Sequence, residues 1–170
     1  NDIAVGLRMP IPEAEKLKRR SGCALTSLVP VDETMEVASI AGRRARVMPR
    51  RVVSEILQPR AEEVCHLLWD EIRKAGFEKS LHSGIVLTGG GSMLEGMVEI
   101  AEQIFDMPVR RGASEGIGGL ADHVNSPAFA TSVGLVMYAH RNLQDEPARA
   151  GAGTIGRLTG RLRTLFKEFF

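Results

Sequence analysis

Four residues in a row, Gly89-Gly90-Gly91-Ser92, follow the apolar run Ile85-Val86-Leu87 and precede an amphipathic stretch through Leu94, Met97, Val98, Ala101 and Phe105. Glycines at a strand-to-helix turn adopt positive φ and let a ligand approach the backbone with no Cβ in the way. The N–H groups exposed at such a turn favour phosphate or another hydrogen-bond acceptor. No Gly-Lys-Ser/Thr follows, so this is not a Walker A loop. The same glycines could serve close strand–helix packing alone, and the spacing does not decide between the two.

Other chemistry-bearing residues are sparse. His66, His82, His123 and His140 share no ligand spacing, and Ser92 has no adjacent base in sequence, so neither a metal centre nor a nucleophilic hydrolase is indicated. Cys23 and Cys65 lie far apart in apolar surroundings and read as reduced core thiols. Arg43, Arg44, Arg46, Arg50 and Arg51 make a basic stretch whose simplest reading is a solvated face. Glu15 and Lys18 stand one helical turn apart, the spacing of a surface ion pair.

The elements that must position these residues alternate between strand and helix, which makes the chain α/β. A strand is expected at the abrupt start, Asn1-Asp2-Ile3-Ala4-Val5, as in a piece of a longer protein. A helix is expected from Glu13 to Ser21, ended by Gly22. Strands at Cys23–Val29 and Glu36–Ile40 would be joined by the polar turn Pro30–Thr34. A long amphipathic region, Arg51 to Lys74, has Ile56, Val64, Leu67, Leu68, Glu71 and Ile72 tracing its period imperfectly, with Trp69 as packing. Pro59 would kink it or begin a second segment. After the glycine turn and its helix, a short strand is expected at Val109 and a glycine-rich loop from Gly112 to Gly119. A helix from Pro127 to Arg141 would turn Ala128, Phe129, Val133, Val136 and Met137 inward.

The chain ends on a basic amphipathic segment. Ile155, Leu158, Leu162, Leu165, Phe166 and Phe169 form one helical stripe, with Arg157, Arg161, Arg163 and Lys167 outside it. Such a helix lies in the plane of an anionic membrane interface and is too short and charged to span it. Packing of the stripe on the domain is the alternative, but the Pro/Gly-containing linker Gln144–Gly153 favours the membrane. The magnitudes suit reversible attachment: about 1 kcal/mol per basic residue near an anionic leaflet, with much of the apolar gain spent on ordering the helix. An array of copies would therefore hold far better than one. The 170 residues suffice for one domain or a compact pair of subdomains. A formal net charge of +1 argues against a general nucleic-acid binder.

Taken together, these stretches resemble the actin/Hsp70/sugar-kinase superfamily. GIVLTGGGSMLEGM at 84–97 looks like its adenosine motif, NDIAVGL at the N-terminus like the tail of its second phosphate loop, and AEKLK like its adenine/ribose-contacting helix. SGCALTS at 21–27, EILQPRAEE at 55–63, DMPVRRGASEGIGGLAD at 106–122 and the terminal helix narrow the resemblance to the FtsA family of bacterial actin-like cell-division proteins. The resemblance covers the whole chain but only the C-terminal part of such a protein.

The resemblance implies a partial actin-like (ribonuclease H-like) ATPase-domain fold. Residues 1–21 and 76–143 would belong to subdomain 2A and 22–75 to subdomain 2B, followed by the linker at 144–153 and the amphipathic helix at 154–170. It implies ATP with Mg2+ as cofactor of the intact protein, with Glu15 and Lys18 at the ribose and adenine, Gly89, Gly90, Gly91 and Ser92 as the adenosine-side wall, and Met93 near the base. Asp2 would lie near the phosphates. It implies a non-enzymatic adaptor that self-associates into actin-like filaments and joins other divisome proteins. Such an adaptor would tether FtsZ to the cytoplasmic side of the bacterial inner membrane at the division septum. The acidic C-terminal peptide of FtsZ would meet Arg43, Arg46, Arg50 and Arg51. The alternatives are another ATPase of the superfamily or the pilus-assembly actin-like protein PilM, neither of which calls for this basic tail.

Overall fold

A computed structural model of the chain describes residues 1–37, 46–115 and 124–145. It divides into two compact units, Asn1–Arg111 and the residues from Gly112 onward.

The first unit opens on helix α1 (Asp2–Gly6), not on the strand expected there. The burial pattern explains the difference: Ile3, Ala4 and the half-buried Leu7 are the i, i+1, i+4 face of a helix, whereas a strand would bury alternate residues. Val5 N donates to Asn1 O at 3.0 Å and Leu7 N to Ile3 O at 2.9 Å. Helix α2 (Ile11–Ser21) begins after Pro10, with Pro12 in its first turn, where the missing N–H costs nothing. Glu13 in the first turn and Lys18, Arg19 and Arg20 in the last complement its dipole. Ala14, Leu17 and Ser21 face inward, and the chain leaves the helix at Gly22 as expected.

The segment Cys23–Val29 is not a strand. Cys23 makes an isolated bridge to Glu95, and Thr26–Leu28 form a single 3-10 turn. The hairpin is made instead by β1 (Thr34–Val37) and β2 (Arg46–Pro49), antiparallel, with Thr34 opposite Pro49 and Val37 opposite Arg46. Met35 and Val37 point into the core while Thr34 and Glu36 face out, the period-2 alternation of a half-buried strand. Residues 38–45, including Arg43 and the end of the expected Glu36–Ile40 strand, lie outside the described residues.

Helix α3 (Arg51–Lys74) runs 24 residues, and Pro59 sits within it on the exposed side without ending it. Its buried positions are Val53, Leu57, Ala61, Cys65 and Trp69, with Ser54 beside the first. Val64, Leu67 and Leu68, expected on the inward face, are exposed at 38%, 59% and 44%. Residues four apart are displaced by about 40° on a helix of 3.6 residues per turn, so this row winds roughly 160° around α3 from Val53 to Trp69. The winding serves two separate clusters. Val53 and Leu57 pack with α1, α2 and β1, among Ile3, Leu17 and Met35. Ala61, Cys65 and Trp69 pack in the second cluster, with Leu25, Ile100 and Phe105.

The second cluster is built on a strand–helix–strand unit. Strands β3 (Ile85–Leu87) and β4 (Val109–Arg111) pair in parallel, Ile85 with Val109 and Leu87 with Arg111, and α4 (Met97–Phe105) connects them. Both strands and the helix were expected from sequence, although a 3-10 turn at Gly90–Met93 separates the glycines from α4. Gly96 at the start of α4 has φ +77° and passes close to Leu25, whose N lies 2.8 Å from where a Cβ would be. Trp69 packs against Phe105 at a tilt of 41° with ring centroids 5.6 Å apart, and the Arg73 guanidinium lies over the Trp69 ring at 5.4 Å. Cys23 and Cys65 are fully buried free thiols, and burial raises the pKa of each.

In the second unit, Pro127–Phe129 form a 3-10 turn capped by the Ser126 hydroxyl, which accepts from Ala128 N at 3.4 Å. Helix α5 (Ala130–Asp145) follows and takes in Gln144 and Asp145, which sequence assigns to the linker. Phe129, Val136 and Met137, expected inward, are exposed at 45%, 43% and 36%. Ala128 is exposed too, and Val133 is half-buried. An apolar stripe buries itself only where another element supplies a surface, and among the described residues of this unit no element covers these side chains. No helix among the described residues is long and apolar enough to cross a membrane.

Candidate functional site

The glycine turn is presented at the C-terminal end of β3. Gly89 takes φ +86°, ψ 169°, a conformation open to glycine and strained for other residues. The turn is closed by Ser92, which is buried and donates twice to one acceptor. Its N reaches Gly89 O at 3.2 Å and its Oγ reaches the same oxygen at 2.8 Å. The hydroxyl is thereby engaged in holding the loop.

A Cβ placed on Gly89, Gly90 or Gly91 would meet nothing within 4 Å. The three glycines therefore fill no packing need within the described residues. Their backbone faces open space, as a wall against which a flat ligand could lie would require. Met93, next in sequence, is half-exposed at 50%.

A strap joins this turn to α2. Ala24 N donates to Glu95 O at 2.7 Å, and a Cβ on Gly22 would lie 3.2 Å from a Leu94 methyl. The C-terminal end of α2 is thus seated against the residues that leave the glycine turn. Glu15 and Lys18, on the outward side of α2, pair at 2.6 Å, and Glu15 also accepts from Arg19 Nε at 3.0 Å. Lys18 and then Arg19 hold the Glu15 carboxyl below its usual pKa. Both members of the pair are about two-fifths exposed, so it contributes little to stability and leaves both groups within reach of a ligand.

The arginines of the basic stretch differ sharply in their surroundings. Arg46, on β2, is exposed and reaches Leu7 O at 3.4 Å. Arg50 is almost enclosed, its side chain 14% exposed. Its Nε donates to Ser21 O at 2.9 Å, one terminal nitrogen to both Glu33 oxygens at 3.1 and 3.2 Å, and the other to Glu95. Burial alone would lower its pKa, but Glu95 and then Glu33 outweigh that, and the net shift is upward. Arg51 begins α3 half-buried, with an enclosed Nε that has no hydrogen-bond partner among the described residues.

Two contacts were not read from sequence. Arg60 grips Asp2 through two hydrogen bonds, at 2.9 and 3.0 Å, and also meets Glu63. Arg50 joins Glu33 and Glu95, 17 and 45 positions away. Partners so remote leave no periodic trace, and the signal available was Arg50 standing just after Pro49 at a strand-to-helix corner.

A hollow of about 380 Å3 lies among Leu68, Ile72, Phe77, Ile85, Leu87 and Phe105. Its lining is apolar apart from Glu71 and contains none of the nucleotide, FtsZ-tail or membrane contact residues expected from sequence. Among the described residues no three His, Cys, Asp or Glu side chains converge to hold a metal ion. The anchor residues from Ile155 to Phe169 lie outside the described residues.

Against known proteins, residues 1–134 match the family described as Cell division protein FtsA. The chain is 42% identical to Cell division protein FtsA of Pseudomonas aeruginosa over 154 residues, 91% of this chain and 37% of that protein. It is 38% identical to the Escherichia coli K12 protein of the same name over 180 positions, 99% of this chain and 43% of that protein. With the Neisseria meningitidis FtsA it shares 41% over 136 residues, 79% of this chain and 33% of the relative. The chain thus spans between a third and about two-fifths of the length of these relatives. With the family match running through α1, the glycine turn and the start of α5, the chain belongs to the FtsA family of cell division proteins.

Proposed function

We propose that this chain is the part of a division adaptor that supplies one wall of an ATP site and the membrane attachment. The intact protein binds ATP with Mg2+, self-associates into actin-like filaments, and tethers FtsZ to the cytoplasmic face of the bacterial inner membrane at the septum. Family membership carries the role in division. The open glycine wall carries the nucleotide part, because three adjacent glycines with free space at every Cβ position serve a ligand better than they serve packing.

Gly89, Gly90 and Gly91 would face the adenosine, with Met93 beside the base and Glu15 and Lys18 at the ribose and adenine. Bound ATP supplies the flat adenosine surface and the phosphate charge that these groups would recognise. Mg2+ usually keeps several waters and binds through phosphates. Ser92, buried and bonded to Gly89 O, supports the turn as a structural wall.

The segment 154–170 would lie flat on the anionic leaflet, its Leu/Phe stripe among the acyl chains and its arginines at the headgroups. The test is sedimentation of the intact protein with vesicles of phosphatidylglycerol and phosphatidylethanolamine. Removal of residues 154–170 is expected to abolish it and leave binding of an acidic FtsZ tail peptide in place. Undiminished sedimentation would overturn the anchor.

A further inference from the structure

Arg50 stands where a helix least tolerates it. It is the residue at the head of α3, where the macrodipole places partial positive charge, and its side chain is only 14% exposed. A cation there is disfavoured both by the dipole and by burial, so its geometry must be held by its partners. These come from different parts of the unit: Ser21 O from the end of α2, the Glu33 carboxylate from the approach to the hairpin, and the Glu95 carboxylate from the exit of the glycine turn. Its backbone adds a further tie, Arg50 N donating to Glu33 O at 2.9 Å.

Glu95 comes three residues after Ser92 and directly before Gly96, and its own carbonyl accepts from Ala24 N. Glu33 directly precedes β1. One planar guanidinium thus holds the elbow behind the glycine turn and the root of the β1–β2 hairpin at once. A guanidinium has donors in a fixed fork, so a shift of one carboxylate reorients the group and disturbs its hold on the other.

We propose that Arg50 is a positioning residue that couples the glycine turn to the β1–β2 hairpin, so that nucleotide at the turn changes the order of the hairpin carrying Arg46. The coupling rests on the nucleotide reading given above. Its physical element is the three-way clamp: ligand at Gly89–Ser92 biases the position of Glu95, and the fork passes that bias to Glu33. A clamp that only stabilises the fold would leave the hairpin indifferent to nucleotide.

Hydrogen exchange on the intact protein, with and without magnesium adenylyl imidodiphosphate, separates these cases. In the wild type, nucleotide is expected to slow exchange both at 89–94 and in the hairpin peptides covering 34–37 and 46–49. Glu33→Gln and Glu95→Gln each weaken one arm while keeping Arg50 and its bond to Ser21, so melting should be little changed. Both variants are expected to retain the response at the turn and to lose the hairpin response at least threefold. A hairpin response that persists in either folded variant overturns the proposal, as does a wild type whose turn responds while its hairpin does not. A wild type that responds at neither place removes the nucleotide reading itself, and the coupling with it.

Discussion

Arg60 on α3 and Asp2 at the head of α1 face each other through two parallel hydrogen bonds of 2.9 and 3.0 Å. They are 58 positions apart in sequence, and the pair pins the first residues of the chain to α3. The hydrogen bond from Arg60 holds the Asp2 carboxyl below its ordinary pKa. A carboxyl depressed in the folded state stabilises the fold above its unfolded pKa of about 3.9 and loses that contribution as pH falls through the folded value. The Asp2→Asn variant is therefore expected to melt slightly below the wild type at pH 7 and at the same temperature once acidification has protonated Asp2. Melting curves of both proteins across that range give the check. A gap that does not close on acidification would show that the pair has no titratable role.

The glycines divide into those the fold needs and those it does not. Gly96→Ala puts a methyl 2.8 Å from Leu25 N at φ +77°, so a loss of about 1–3 kcal/mol is expected in denaturant unfolding. Gly91→Ala meets nothing, and stability should stay within about 0.5 kcal/mol. If the turn receives nucleotide, Gly91→Ala lowers the affinity of the intact protein for a fluorescent ATP analogue all the same. Unchanged affinity would remove Gly91 from the site.

Along α3, burial and not hydrophobicity decides the outcome. Trp69→Ala removes a buried ring from the face of Phe105 and is expected to cost about 3–5 kcal/mol. Leu67→Ala, at a position 59% exposed, should cost less than about 0.5 kcal/mol. Equal losses at the two positions would mean that the helix face is misassigned.

For the acidic tail of FtsZ, Arg46 is the informative arginine. Exposed on β2, it can be reversed to Glu with little effect on folding. Fluorescence anisotropy with a tail peptide should show several-fold weaker binding for Arg46→Glu, and more so at low salt. Arg50→Glu would set a carboxylate against Glu33 and Glu95, so its effect on binding would be confounded with loss of the fold. Wild-type affinity in Arg46→Glu would exclude the hairpin from the tail site.

The legible parts of the sequence were those whose signal is local. β3, the glycine turn, α4 and β4 follow one another within a short span, each marked by an apolar run or a glycine, and all were placed. The end of α2 at Gly22 was equally plain. The misreadings have physical reasons. Asn1–Val5 has the composition of a strand, but Ile3 and Ala4 are neighbours that both turn to α2 and α3, which only a helix allows. Cys23 is buried beside Glu95 through a single bridge, so its surroundings came from a remote segment. On α3 Leu67 and Leu68 stay outside while Ala61 and Cys65 go in, because the bearing of each residue toward the second cluster decides its burial. Of the candidate site, residue types were readable and partners were not: neither the Arg50 clamp nor the Arg60–Asp2 grip follows from spacing.

The winding of the buried row on α3 makes that helix a fixed gauge between two cores. Val53 and Leu57 are cut for one cluster, Ala61, Cys65 and Trp69 for the other, at bearings set by the number of residues between them. One residue added near Pro59 would swing the second set by about 100° and slide it 1.5 Å along the axis. No local adjustment of side chains could absorb that. The length of this helix is therefore under stricter constraint than most of its individual residues, and substitutions should be tolerated along α3 where insertions are not.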